Sequence, residues 1–397
     1  MPSSFGWLDS DTEQRRQMLE VVDLFSQDGT VDELGTGAIR DALSHALFPG
    51  TSVVHTRLRY VLFVPWLLQR AADHSPARDA AKHFRDLEIR LIDSLLAGGE
   101  QVGVIGNHAK ARLRRMPSGV YWSALGTWGV RQPDLSVEGY LRRRHDLARL
   151  AARTAVSDDP EARDHAPSAG LDLHLPPPPG DLLTRATFDL TPVEEEYLSD
   201  SIARATAGSL LAWLVHHPPP HLPTYAWDVA TLGDAPADLA ETVDHARRFH
   251  TAIHGAVLLY NLLLARRRNM DEAVARYESD LALWRDEVHA SEALDGWDRV
   301  AWWTTLTRLN PGIRPLTRVF VDEWLDLAAS DPDVANNADA ATLVATRERQ
   351  IKGGRARLAN QAALDHWGGA SGLRRLDFNW SVARTHLADL YATRGAA

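Results

Sequence analysis

Apolar residues recur at helical spacing along almost the whole chain, and no convincing run of alternating apolar and polar residues interrupts them. A period near 3.6 calls for helices with one buried stripe and leaves no sheet to build, so an all-α fold is expected. Ser10-Asp11-Thr12-Glu13 has the spacing of a capping box, and Met18, Leu19, Val22 and Phe25 then mark one face of a first helix. Similar patterns cover 38–48, 52–72, 77–97, 119–128 and 136–153. Within the second, Pro65 lacks an amide donor and predicts a kink or break.

The clearest interruption runs from 154 to 184, where Pro176-Pro177-Pro178-Pro179-Gly180 favours extended backbone. It reads as a Pro-rich linker or loop between an N-terminal helical domain, 1–153, and a C-terminal one, 185–397. The second opens at Thr191-Pro192-Val193-Glu194, with a hydroxyl cap and proline at the first helical position. That helix is expected to run to His217. Further helical patterns occupy 236–268, 270–290, 315–329, 338–351, 355–366 and 381–392. The expected architecture is a multi-helix bundle in two subdomains, without a recurring 20–50 residue signature.

Composition removes whole classes of chemistry. None of the 397 residues is cysteine, which excludes disulfides, thiolate zinc sites, iron–sulfur clusters and a cysteine nucleophile. The opening Met1-Pro2-Ser3-Ser4-Phe5-Gly6-Trp7 has no basic, apolar leader pattern, and no stretch is apolar enough to span a bilayer. A cytoplasmic protein without membrane partners is expected.

Motifs for phosphate, metal and nucleophile chemistry are sparse. Gly35-Thr36-Gly37 precedes a helix, but no Walker or dinucleotide glycine pattern is present, and a turn is the better reading. His250 and His254 lie four apart with His245 nearby, yet no glutamate follows His250 and the apolar run beyond suits packing better than a metal. His216, His217 and His221 cluster only in sequence. Gly369-Ala370-Ser371-Gly372 does not have the spacing of a nucleophile elbow. No cofactor is expected.

Charge is more informative. The net charge is −10, but residues 1–34 carry eight acids against two bases, whereas 110–149 carry nine bases against three acids and 347–397 nine against four. Forty of the 43 bases are arginine, the residue whose planar fork fits phosphate. In the first basic segment Arg112, Arg114, Arg115, Arg142 and Arg143 are interleaved with Tyr121, Trp122 and Trp128. In the second, Lys352, Arg355, Arg357, Arg374 and Arg375 accompany glycine-rich loops and Trp367, Phe378 and Trp380. Cations for phosphate and rings for bases would suit a nucleic-acid contact. The competing reading is solvated arginines around core aromatics capped by glycine.

The stretches Ser4-Phe5-Gly6-Trp7-Leu8-Asp9, Leu47-Phe48-Pro49-Gly50-Thr51-Ser52, Arg59-Tyr60-Val61-Leu62-Phe63-Val64-Pro65-Trp66, Ile253-His254-Gly255-Ala256 and Leu376-Asp377-Phe378-Asn379-Trp380 resemble a bacterial family known only as a domain of unknown function. Asp32 to Asp41 and Tyr121-Trp122-Ser123 fit it as well, so the resemblance covers nearly the whole chain. Members tend to be encoded beside helicases and phospholipase-D-like nucleases in anti-phage defence islands. The resemblance therefore implies a non-catalytic subunit of a defence complex that contacts a helicase or nuclease partner, with DNA as a further contact; it supplies no catalytic residue. The alternative is a metal-dependent nuclease or nucleotide-processing effector built on His250, His254 and nearby carboxylates. A third reading gives the Lys352–Arg357 loop a ligand-sensing role.

Overall fold

The computed structural model describes residues 32–74, 78–132, 134–154 and 169–395, so the expected first helix lies outside the described residues. Fourteen α-helices follow in chain order: α1 Gly37–Leu47, α2 Tyr60–His74, α3 Ala80–Ala97, α4 Pro117–Thr127, α5 Val137–Thr154, α6 Pro192–Ala205, α7 Leu210–His216, α8 Ala237–Arg267, α9 Asp271–Ala290, α10 Arg299–Leu309, α11 Pro315–Ser330, α12 Ala338–Lys352, α13 Gln361–Asp365 and α14 Trp380–Gly395. Among the described residues there is no strand, only an isolated bridge between Arg131 and Leu171. The all-α expectation holds. No described helix is long and apolar enough to cross a membrane.

The chain forms two compact units, each discontinuous in sequence. Of the described residues, those within 32–43 and 244–376 form one, and those within 44–243 and 377–395 form the other. These boundaries differ from a division at the Pro-rich stretch. The described part of that stretch, 169–184, is packed within the second unit. Trp66 donates its indole N–H to the Pro176 carbonyl at 2.6 Å, Ser94 donates to Leu182 at 2.7 Å, and Leu182 is buried. Extended proline-rich backbone leaves its carbonyls unpaired internally, and here a buried indole uses one of them.

In this second unit α2 is the spine. Tyr60 to Leu68 are all buried, and α2 packs on α3, α4 and α5. Pro65 sits inside this helix without ending it. Proline at the sixth position removes only the bond its own amide would have made to Val61, and burial on every side offsets that loss. The helix start is fastened by ion pairs: Arg59 to Glu194 at 2.7 Å, and Arg57 to Asp389, which also accepts from the Leu58 amide at 2.8 Å. The helices α6 and α7 pack on each other and on α14.

A single helix over 192–217 was expected, but the chain breaks between Ala205 and Leu210. Gly208 adopts φ +84°, and Ser209 caps α7 by accepting from the Ala212 amide at 3.1 Å. The expected helix at 355–366 is reduced to α13, capped by Asn360, while α10 begins at an Asp298 cap that the periodicity did not reveal.

The first unit is built around α8, from Asp244 onward. Trp284 of α9 donates to the Thr251 carbonyl at 2.7 Å and Trp324 of α11 donates to Ala252 at 2.8 Å. The Trp284 ring lies over Gly255, where an added Cβ would come within 2.3 Å of it. In the second unit Gly50 answers Trp128 in the same way: φ is +83°, a Cβ would meet the indole nitrogen at 2.4 Å, and that nitrogen donates to Pro49. Two glycines of the resembled motifs are thus places where an indole touches backbone. Gly255→Ala should cost about 1–3 kcal/mol by overpacking, read as a lower urea midpoint at unchanged slope. Gly233→Ala, where a Cβ meets nothing within 4 Å, should stay within about 0.5 kcal/mol of wild type.

Candidate nucleic-acid interface

The structure divides the ten cationic residues singled out by sequence into outward and inward groups. In the second unit, Arg112, Arg114 and Arg115 lie on an exposed strip running along α3. Arg85 of α3 donates to the Leu113 carbonyl at 2.8 Å and Lys110 pairs with Asp93 at 3.3 Å. The strip is thereby held by its backbone and its one lysine, and Arg115 donates to the Gly119 carbonyl at 3.4 Å. Arg142 and Arg143 are exposed on α5, and Arg143 donates to the Gln132 side chain at 2.7 Å. Arg112 and Arg142 have no carboxylate partner among the described residues.

The aromatics meant to accompany them are elsewhere. Tyr121 and Trp128 are buried, and Trp122 is half-buried, its face covered by Arg131 at 4.7 Å. In the first unit Trp367 is buried, and in the second Phe378 and Trp380 are. None of these six buried or covered faces is open to a base, so the base-stacking expectation does not hold for them; core packing claimed the large rings.

The second basic segment is mostly turned inward. Glu33, only 3% exposed, receives Lys352, Arg357 at 2.7 Å and the Ser371 hydroxyl. Glu348 of α12, fully buried, accepts from Tyr260 at 2.6 Å, Lys352 at 3.1 Å and the Arg357 and Leu358 amides at 2.9 Å each. Burial alone would raise the Glu33 carboxyl. The hydrogen bonds from Lys352 and Ser371, with the charges of Lys352 and Arg357, outweigh burial and hold it below the usual carboxylate range. Lys352 and Arg357 are therefore internal counter-ions.

The glycine-rich loop beside them is also committed. Asn261 holds the Ser371 backbone from both sides at 2.8 Å, while Tyr277 and Arg276 donate to the Gly369 carbonyl at 2.6 and 2.9 Å. A loop whose polar groups are satisfied from within is not a preformed phosphate cradle. Arg355 and Arg374 remain exposed. Arg375 makes a bidentate pair with Glu287 at 2.6 and 2.5 Å.

The other sequence candidates resolve in the same manner. The Thr36 and Gly37 amides, which an anion could have used, donate to Asp32 at 2.9 and 2.6 Å. His250 meets the Leu376 carbonyl through Nδ1 at 2.6 Å and Arg375 through Nε2 at 3.3 Å, so neither nitrogen is left to a metal. His245 accepts from Trp297 at 3.1 Å, and His217 stacks on Trp213. Among the described residues no group of three or more histidine, aspartate or glutamate side chains could hold a metal ion.

Sequence reasoning missed a buried titratable cluster in the second unit. His386 of α14 and His55 are stacked with ring centroids 5.7 Å apart, and His55 stacks on Tyr121 at 4.3 Å. Neither nitrogen of His386 nor Nδ1 of His55 finds a partner among the described residues. Glu88, also missed, is buried under α4 and accepts from the Ser118 amide at 2.7 Å and hydroxyl at 3.1 Å, taking the part of a helix cap. No pattern in the sequence marks these residues, because each sits on an otherwise apolar helical face or loop.

With this geometry in place, comparison with known proteins decides the family. A family model described as a family of unknown function, DUF6361, matches residues 2–394. The chain belongs to DUF6361. No curated protein and no solved structure matches it.

In this DUF6361 chain the buried groups set a pH profile with two limbs. Burial pushes His55 down to about 4 and His386 well below 6.5, so their contribution is complete above about pH 6.5 and is lost as pH falls toward the folded values. Burial pushes Glu88 up to about 7 against the opposing Ser118 hydrogen bonds and Arg85 charge. Its contribution is complete below the ordinary value of 4.5 and is lost as pH rises through 7, at most about 3 kcal/mol. Glu88→Gln should flatten the alkaline limb of stability against pH and His386→Leu the acid limb, measured by urea unfolding; a limb unchanged by its substitution contradicts the assignment.

Proposed function

We propose that this DUF6361 protein is a non-catalytic subunit of a bacterial anti-phage defence complex, contacting a helicase or nuclease partner and DNA. The defence setting and the partner class rest on the family resemblance read from the sequence. The DNA contact rests on one observation: in an acidic protein, Arg112, Arg114 and Arg115 stand together on an exposed strip, with Arg142 and Arg143 exposed on α5, whereas Lys352 and Arg357 of the other basic segment are paired with buried Glu33. Such cations meet phosphates without reading bases, and the Tyr121, Trp122 and Trp128 rings of the same segment are buried or covered. The work divided among the partners would leave strand separation or cleavage to the helicase or nuclease and docking to this chain.

Titration of the purified protein with single- and double-stranded DNA over a salt series tests this reading. If about four phosphates are contacted, affinity should fall about a hundredfold between 50 and 200 mM salt by counterion release. Replacing Arg112, Arg115 and Arg142 by glutamate should abolish binding and leave the helical circular dichroism unchanged. No binding at low salt, or robust DNA or nucleotide hydrolysis by the protein alone, contradicts the proposal.

A further inference from the structure

In the first unit, α10 and α11 form a helical hairpin joined through 310–314, with a groove of about 770 Å³ between them. Its floor is Trp303, buried and fixed by donating to Asp322 at 2.6 Å, with the Arg318 guanidinium 5.0 Å above the ring centre. At the far end Arg299 pairs with Asp326, so that end carries no net charge. The turn end is different. Arg308 and Arg314 are exposed and have no carboxylate partner among the described residues, and Arg318 reaches Asp322 only at 3.6 Å. This end is cationic. Apolar side chains also face solvent along the hairpin: Val300, beside Arg299 on the α10 lip at the far end, is 78% exposed, and Val319, next to Arg318 on α11, is 49% exposed.

A groove between two packed helices has the dimensions of a third helix, and apolar side chains on its lips with a charged end define that helix's chemistry. Bases are a poorer fit, because the only ring in the groove is its buried floor. A basic partner is excluded by like charge at the turn.

We propose that the α10–α11 groove docks an amphipathic helix of a partner protein, its apolar residues against Val300 and Val319 and its acidic turn against Arg308, Arg314 and Arg318. This deepens the subunit reading and rests on it, by naming a partner-facing surface and the sequence character of what it takes.

The test uses the full-length protein and a fluorescein-labelled peptide of about 18 residues, leucine at helical i, i+3 and i+4 spacing and glutamate elsewhere. Anisotropy should show micromolar binding. Arg308→Glu with Arg314→Glu should weaken it at least about tenfold, as should Val300→Asp alone, a change of about 1.4 kcal/mol. The DNA titration of these variants should match wild type, which separates failure of this inference from failure of the subunit reading. The inference is overturned if a scrambled peptide of the same composition binds equally, if the substitutions leave binding unchanged, or if nothing binds at about 100 µM. It is equally overturned if the peptide fails while Val300→Asp dissolves a self-associated form, making the occupant a second copy, or while Arg308→Glu with Arg314→Glu abolishes DNA binding, making the occupant nucleic acid.

Discussion

The first unit is organised around a buried carboxylate. Glu33 lies near the start of the described chain, yet its ligands come from the end of α12 and from the loops that follow it. Beside it Arg347, also buried, donates to the Leu34 and Gly35 carbonyls and to Leu316 and Thr317. Lys352 and Arg357 on the buried Glu33, together with the buried Arg347, thus bind the entering chain to α12 and to the first turn of α11. A buried charge left without its partner costs several kcal/mol, whereas the matched set is self-consistent. Such a network should tolerate replacement as a set better than removal of one member.

The same network changes what the basic C-terminal segment can do. Arginine and lysine clustered in sequence suggested a ligand surface, but folding assigns Lys352, Arg357 and Arg375 to carboxylates far away in the chain, Glu33 and Glu287. Other cations stay at the surface, some beside an acid, as Lys110 is beside Asp93. Charge counted along a segment and charge presented by a fold are different quantities, and only the second can meet a phosphate.

Helical periodicity made the fold class and most helix positions legible, because each helix buries one stripe and exposes another. Where the expectation failed, a local cause acted against the pattern. Gly208 and Ser209 broke a helix that the apolar spacing would have continued, and burial carried α2 through Pro65. The proline run looked like a spacer because its composition excludes helix, yet Trp66 fastens it. Gly50 and Gly255 were visible only as motif letters; their reason, an indole pressed on backbone, is a tertiary contact. The candidate site was half legible: the arginines could be named, but not their partners, since the deciding Glu33 and Glu287 are distant in sequence. His386 and Glu88 carried no signal at all, being single polar residues among apolar neighbours.

The inward assignment of Lys352 is the point on which the division of the basic residues turns, and a double-mutant cycle measures it. Glu33→Gln and Lys352→Met would be compared singly and together by urea unfolding at neutral pH, with DNA affinity followed in parallel. Each single substitution should cost about 3–5 kcal/mol, with the double no worse than the poorer single and DNA affinity unchanged. Single costs below about 0.5 kcal/mol that simply add, with weakened DNA binding on loss of Lys352, would show that this lysine faces a ligand and not Glu33.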